Sequence, residues 1–335
     1  LEFAFSRQDG VMTRPEIYER WIQRQANWDD DEFLGKINSL QILRYRRLNE
    51  RVVAFLGLIA GNAVESKPLL VDMGCGHADF SKELPERWRY IGLDPSPEQL
   101  AHGKQFLRGL MVVQGAAERP PLRNNCARVV LLKEVLDHGW DPSRIIRESC
   151  RILAPGGFLI VTVTNDRSWF KCLLPWVNKS LKEKQTDHFH FFSPSDLEQL
   201  AREARFDSVR LETYNHLKLP GFLERATGWA GPGFQRFLLG TTDALGRLLF
   251  PRWGGGMMLT AQKPLEDGCA VLPPLEFIVN QTSSVLPELL AVLVCPSCGS
   301  AIRSKGEDLE CTACHRVFPV KEGIPSLMPE LSKGS

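Results

Sequence analysis

Leu69–Phe80 reads LLVDMGCGHADF: an apolar run, an acid, and two glycines flanking a cysteine. Further along, Tyr90–Asp94 (YIGLD) is a second apolar run that ends in an acid. A strand, a glycine turn, a helix start and a second strand tipped with a carboxylate make a nucleoside-binding edge of a parallel sheet. Gly74 and Gly76 permit a tight turn and let a ligand approach backbone where a Cβ would intrude. Asp72 is placed to accept hydrogen bonds or pair with an ammonium group. Asp94, followed by Pro95, is the candidate for ribose hydroxyls, because one carboxylate can accept from both. The third glycine position of a dinucleotide fingerprint is Asp79 here. Its charge would oppose a pyrophosphate but not a cofactor bearing a sulfonium and an amino acid end.

Outward from this edge the pattern alternates. Residues 110–115 (LMVVQG), 127–133 and 158–163 (FLIVTV) read as further strands. Helices are expected from Ser96 to Phe106, from Pro142 to Leu153 and from Ser193 to Ala204, and Phe80–Leu84 should open another. Short apolar runs separated by helices indicate parallel strands buried on both faces. Ser208–Glu212 and residues 254–264 follow as two late strands without a crossover helix between them, which fits an antiparallel pair. The predicted class is α/β, a Rossmann-like seven-stranded sheet. The organisation is an N-terminal helical segment over 12–66, a main domain over 67–264 with a helical insertion at about 217–253, a linker at 265–285 and a small metal-binding domain at 286–330. Gly221–Phe250, rich in Phe, Leu and Gly, reads as two short amphipathic helices over the ligand edge; its apolar residues fit either packing or a docking face.

Composition narrows the class. Apolar residues make up 43% of the 335 and charged residues 24%, as in a packed globular protein. A formal net charge of +1 provides no global field for nucleic acid or an anionic membrane. The local basic run Arg44–Arg51 (RYRRLNER) reads as a solvated helix face. With no export signal and no apolar run of about 18 residues, the expectation is a cytoplasmic location and no membrane span. Nine cysteines divide into five scattered ones and two CxxC pairs, Cys295/Cys298 and Cys311/Cys314. Four thiolates in two knuckles fit a closed tetrahedral structural metal site, Zn2+ or, as the alternative, iron. So small a domain relies on its metal for much of its folding energy.

The first motif resembles the class I S-adenosylmethionine-dependent methyltransferases. VDMGCG is similar to the family's first motif and covers Asp72, Gly74, Cys75 and Gly76, with Ala78 where many members have glycine. The resemblance implies S-adenosylmethionine as cofactor, with Asp94 and Pro95 at its ribose. It implies Ala117 and Glu118, in GAAERPPL, at its adenine, and Leu132 and Lys133 along its border. RILAPGG at 151–157 matches the family's turn before the fifth strand. FSPSDLEQLAREARF at 192–206 resembles the branch that methylates lipids, quinones and glycans. The likeness covers roughly residues 68–264.

A hydroxyl acceptor must lose a proton, and histidine is the side chain poised for this near neutrality. His138 follows the fourth strand, and His188 and His190 lie in DHFHFF after the fifth; all three are candidate bases. For His138, helix capping or packing is an equal alternative. Asp137 could orient a histidine or cap the helix at Pro142. Asn165 and Asp166 could contact substrate or cap a turn. The loop after the fourth strand reads KEVLDH and lacks the tetrad that families methylating exocyclic or amide nitrogens use.

LPELLAVLVCPSCGSAI and CTACHRVFPVKEGIPSLMPE resemble the Trm112-like zinc domain over roughly residues 286–330. Free-standing relatives of that domain stabilise or activate methyltransferases of transfer RNA, ribosomal RNA and a release factor. The sequence reading favours O-methylation of a small-molecule, lipid-linked or glycan-like acceptor, with peripheral membrane contact open. Its alternatives are an RNA or translation-factor methyltransferase carrying its activator in cis, and a non-catalytic scaffold that binds the cofactor.

Overall fold

The computed structural model describes residues 39–60, 67–107, 109–173, 188–216, 231–265 and 285–329. The predicted helical content of 12–38, the first half of the insertion, Asp187 and most of the linker lie outside these residues.

The main sheet has seven strands: β1 (Leu69–Met73), β2 (Arg89–Asp94), β3 (Val112–Gln114), β4 (Ala127–Lys133), β5 (Leu153–Thr164), β6 (Asp207–Tyr214) and β7 (Gly256–Gln262). Their spatial order is β3-β2-β1-β4-β5-β7-β6. The first five run parallel, and β7 lies antiparallel between β5 and β6. The late antiparallel pair is therefore as expected. The strand order reverses at β1, with β2 and β4 on either side, so the C-terminal ends of these strands form the crevice where such sheets take ligands.

Side chains alternate between the two faces, and each face has its own helices. Leu69, Val71 and Met73 face α3 (Pro142–Ile152) and, beyond the short α4 (Trp169–Leu173) in the chain, α5 (Pro194–Glu203), through Ile145, Ile146, Leu197 and Ala201. Leu70, Tyr90 and Leu131 face α1 (Ser39–Ala60) and α2 (Pro97–Phe106) through Val52, Leu56 and Leu100. The caps follow the sequence. Ser96 accepts from Gln99 N at 3.3 Å, and Ser193 forms a capping box with Asp196. Asp141, not Asp137, caps α3, accepting from Arg144 N at 3.0 Å. The helix expected to open at Phe80 is a single 3-10 segment, Asp79–Glu83, because only a short connection separates β1 from β2 and Phe80 is drawn into the core.

Two further expectations change here. The basic run in α1 is solvated only in part: Arg46 and Glu50 are exposed, but Arg44 is buried, and Arg47 and Arg51 lie 3.6 and 3.4 Å from Asp243 Oδ2. Asp243 belongs to α6 (Pro232–Leu249), one 18-residue helix, and also accepts from His216 N at 2.9 Å. The second change concerns packing in the insertion. Leu239 and Asp243 of α6 point inward, whereas Phe234, Phe237, Leu245 and Leu248 are exposed. A helix turned inward by its acid leaves its bulky residues outside.

The C-terminal unit contains a four-residue helix, α7 (Pro287–Leu290), and a three-stranded antiparallel sheet of β8 (Ile302–Lys305), β9 (Asp308–Cys311) and β10 (Val317–Phe318). A hairpin of β11 (Val320–Lys321) and β12 (Ile324–Pro325) follows. Leu289, Val292, Leu293, Leu309 and Leu327 share one apolar cluster with Val113, Leu122 and Met73 of the main domain.

Burial by itself would raise the Asp243 carboxyl. The His216 bonds and the two guanidinium groups outweigh it and hold the carboxyl below its usual range. A lowered folded-state value stabilises above the ordinary carboxylate range and is lost as pH falls through the folded value. Asp243→Asn is therefore expected to lower stability at neutral pH by roughly 1–2 kcal/mol, with the arginines' partial exposure screening the rest. In denaturant titrations the difference from the parent should begin to shrink as pH falls below about 4 and vanish only below the lowered folded value. A difference that persists unchanged into acid would refute the assignment.

Candidate active site

The glycine turn after β1 is built by close approach. Gly74 N and Cys75 N both donate to Leu93 O, at 2.6 and 3.1 Å, which holds the turn over the end of β2. Gly74 and Gly76 have φ of 76° and 53°. A Cβ on Gly74 would come within 2.5 Å of Val135 Cγ2, in the loop after β4. Ala78 is also left-handed at φ 59°, a conformation that costs an L-residue about 1–2 kcal/mol. Cys75 lodges its thiol against Gly92 of β2 as a small apolar filler, and burial, with Asp94 and Asp72 adding to it, pushes that thiol well up.

Register brings the acids together. Asp72 pairs with Gly92 in the β1–β2 ladder, so Asp72 and Asp94 sit at the same edge. Asp94 is tied into the turn: Oδ2 accepts from Gly76 N at 2.8 Å and Oδ1 from Ser96 N at 2.9 Å. Asp72 is buried. Its Oδ2 accepts from Tyr90 Oη at 2.9 Å, and its Oδ1 has no hydrogen-bond partner among the described residues. Burial raises its carboxyl, against the opposing charge of Lys133 and the Tyr90 hydroxyl. Glu118 repeats the pattern. It is buried, Oε1 accepts from Trp140 N at 2.8 Å, and Oε2 is unpartnered among the described residues. Burial raises it too, against backbone bonds that include Trp140. Two buried carboxylate oxygens beside a turn too tight for a Cβ suit a ligand with hydrogen-bond donors and positive charge.

The remaining expected residues separate. Pro95 O accepts from Gln114 Nε2 at 3.1 Å, and half-buried Ala117 packs beside Glu118. Lys133 lies with its Nζ 5.1 Å from the Phe80 ring centre and 3.4 Å from Asn49 Oδ1. Leu132 points the other way, fully buried in the core with Met73 and Val161. Strand alternation separates it from its neighbour. The Asn165 side chain donates to Arg252 O and Gly254 O at 3.0 and 2.8 Å and accepts from Arg167 N at 2.8 Å, so it shapes a turn.

On the acceptor side the histidine loop folds back onto the β4 loop. Phe189 N and His190 N both donate to Asp137 O, at 2.8 and 3.2 Å. This brings His188 Nδ1 to 2.8 Å from Asp137 Oδ2 and the His188 ring to 4.5 Å from that of His138. Asp137 thus orients a histidine. His190 is set apart, 6.1 Å from Phe192 ring to ring, and burial lowers its imidazole despite nearby backbone bonds and acids. Tyr90 and Trp140 were missed by the sequence reading; one is a cross-strand neighbour of Asp72 and the other acts through its backbone, so neither carries a motif.

The four cysteines converge as two close pairs, Cys298–Cys311 at 3.4 Å and Cys295–Cys314 at 3.7 Å between sulfurs. Together they form a cluster able to hold a metal ion. Hydrogen bonds from Ser300, then Cys311, bring the Cys298 thiol down to about 6, which favours the thiolate a metal needs. This unit grips the segment that carries Glu118. Leu327 N donates to Gln114 O, Val294 N to Pro121 O, and Arg123 N to Val292 O, each at 2.9 Å. Arg119 Nη2 also reaches Ser297 O at 2.9 Å.

Residues 71–161 match the family described as Methyltransferase domain, and residues 287–323 match that described as Trm112p-like protein. The chain carries a methyltransferase domain fused to a Trm112-like domain. It is an enzyme of the methyltransferase class. It is similar to the ubiquinone biosynthesis O-methyltransferase of Nitrosomonas europaea, 27% identical over 58% of this chain and 84% of that protein. The enzyme of the same description from Shewanella halifaxensis is 29% identical over 60% of this chain and 86% of its own. A solved complex between the Haloferax volcanii Trm112 methyltransferase activator and a putative methyltransferase aligns with TM-score 0.45 and 20% identity, covering 60% of this chain and 84% of that one. The Trm112-like match corrects the acceptor expected from sequence. A small-molecule, lipid-linked or glycan acceptor leaves a second domain of this kind unexplained, and its presence favours an RNA or protein partner. Among the described residues no helix is long and apolar enough to cross a membrane.

Asp72 and the cysteine cluster each yield a prediction. Because burial raises Asp72 above its unfolded value, its ionisation at neutral pH costs stability. Asp72→Asn should therefore melt no lower than the parent in calorimetry, and a clear drop would contradict this. Chelating the metal should unfold residues 287–329 and speed amide exchange across 114–123; unchanged protection of that segment would show that the grip does not depend on the metal.

Proposed function

We propose that this chain transfers a methyl group from S-adenosylmethionine to an RNA or translation-factor acceptor, with its activating zinc domain supplied in cis. The observation that supports this reading best is the backbone grip of the Trm112-like domain on both ends of segment 114–123, which carries the buried Glu118. Bound in the crevice, the cofactor would supply an electrophilic methyl carbon on a sulfonium. Asp72 and Glu118 would hold its donor groups through their unpartnered oxygens, and Asp94 would take the ribose hydroxyls through its remaining lone pairs. The turn at Gly74–Gly76 and the border at Lys133, with the backbone near Pro95 and Ala117, complete that side. The four cysteines would hold Zn2+ in a closed structural site.

Across the crevice, Asp137 holds the Nδ1 side of His188, which suits His188 for taking a proton from the acceptor at its other nitrogen. His138 lies beside it as a second polar contact for the acceptor. His190, with its lowered imidazole, remains neutral and is the weakest candidate for a charged role. Rate would come chiefly from positioning.

Calorimetry on the metal-loaded chain should show binding of S-adenosylmethionine and of its demethylated product, weakened at least about tenfold in Asp94→Ala and Glu118→Ala. No binding to the parent would end the reading. With labelled donor, the methyl group should appear in RNA or in translation-factor fractions of a cell extract; label confined to small organic extracts would reject the acceptor class.

A further inference from the structure

Asp137, His138 and His188 place three ligand atoms within 4.8 Å of one another. Asp137 Oδ2 lies 2.8 Å from His188 Nδ1 and 3.8 Å from His138 Nε2. These are ion-pair distances: neither oxygen of this buried carboxylate has a hydrogen-bond partner among the described residues, and two imidazoles are turned to the same one. Ligand atoms about 2.0–2.1 Å from a common tetrahedral ion stand roughly 3.4 Å apart, between the two observed values. The Asp137 side chain is 2% exposed, while those of His138 and His188 are 19% and 20% exposed, so the cluster is closed behind the acid and open on the histidine side. The bonds from Phe189 N and His190 N to Asp137 O hold the two ligand-bearing loops in register, the support that an ion site requires.

We propose that Asp137, His138 and His188 form a second metal site, distinct from the four cysteines, that takes a divalent ion of the zinc class and leaves a coordination position open. Two imidazoles and one carboxylate with an open position are a catalytic ligand set, whereas four thiolates are a closed one. The site lies on the acceptor side of the crevice. Its functional part rests on the methyltransferase reading above and has the ion, in place of His188 as base, draw the proton: an acceptor oxygen or nitrogen in the open position would release it to solvent more readily, as a metal-bound water does. The bond from the methyl carbon to that atom then forms as the carbon–sulfur bond of the donor breaks, leaving a neutral thioether. No oxidant or reductant takes part. Ion binding itself does not depend on that reading.

The test uses the full chain, equilibrated with Zn(II), freed of excess by gel filtration and measured for zinc content. Two ions per chain are expected in the parent and one in Asp137→Ala and His188→Gln. His138→Cys, which keeps a metal-binding side chain, should retain two. Cys298→Ser should retain the Asp137 ion, and Mn(II), which four thiolates do not favour, should give a bound paramagnetic signal in the parent that His188→Gln removes. One zinc in the parent, or two in both Asp137→Ala and His188→Gln, would overturn the proposal. Binding of S-adenosylhomocysteine, measured on the same samples, separates the two readings. One zinc with intact binding removes only this site, and two zincs without binding remove only the methyltransferase reading of the crevice.

Discussion

Four backbone and side-chain bonds between residues 114–123 and the C-terminal unit hold the candidate donor site in one piece. Glu118 lies inside that segment, reaches Trp140 in the β4 loop, and takes Arg144 Nε at its own carbonyl at 2.8 Å. The same segment is linked to the turn after β2, since Gln114 Nε2 donates to Pro95 O. The unit that carries the four cysteines is therefore joined, through main-chain hydrogen bonds, to the segment that carries Glu118. An irregular ten-residue stretch at the sheet edge would otherwise present open backbone groups to water. The Trm112-like unit satisfies them and extends the apolar core across the joint, with Leu122 beside Leu293.

A second constraint is the cost of buried charge. Asp72 and Glu118 each have one oxygen satisfied and one not, and burial raises both. Such groups persist in a fold when something other than stability requires them. Asp94 differs, because the backbone N–H groups of Gly76, in the turn after β1, and of Ser96 both bind it. The site thus combines one acid that shapes the loop with two that are held in readiness. On the opposite side Asp243 gathers Arg47, Arg51 and His216, and so locks α1 to α6 over the sheet. That lock explains why one side of the basic run faces α6 and why α6 turns its large apolar residues outward.

The strands, the glycine turn and the four-cysteine cluster were legible in the sequence, because each rests on local chemistry: apolar runs of strand length, φ values open to glycine, and thiolates at knuckle spacing. Asp72, Gly74, Gly76 and Asp94 were singled out for the same reason and lie together at the ends of β1 and β2, whereas Glu118 came only from the family resemblance. Leu132 was not placed correctly, since a single residue of alternation decides which face of β4 it joins. The helix expected at Phe80 failed because the space between two paired strands, and not propensity, sets its length. The small-molecule acceptor was a misjudgement of a different kind: it weighed the crevice's local motifs above the attached domain.

The sequence alone determined that a strand–turn–helix edge with acids at its tips exists and that a metal-binding unit follows it, since periodicity and spacing are properties of the chain. Tertiary structure decided which atoms meet. Asp137 finds His188 across fifty residues because the backbone N–H groups of 189 and 190 dock on its carbonyl. Glu118 finds Trp140, and the segment around it finds the zinc-type unit, by pairing between positions far apart in the chain. No local rule encodes these meetings, because they depend on where the sheet reverses and on which edge it leaves open.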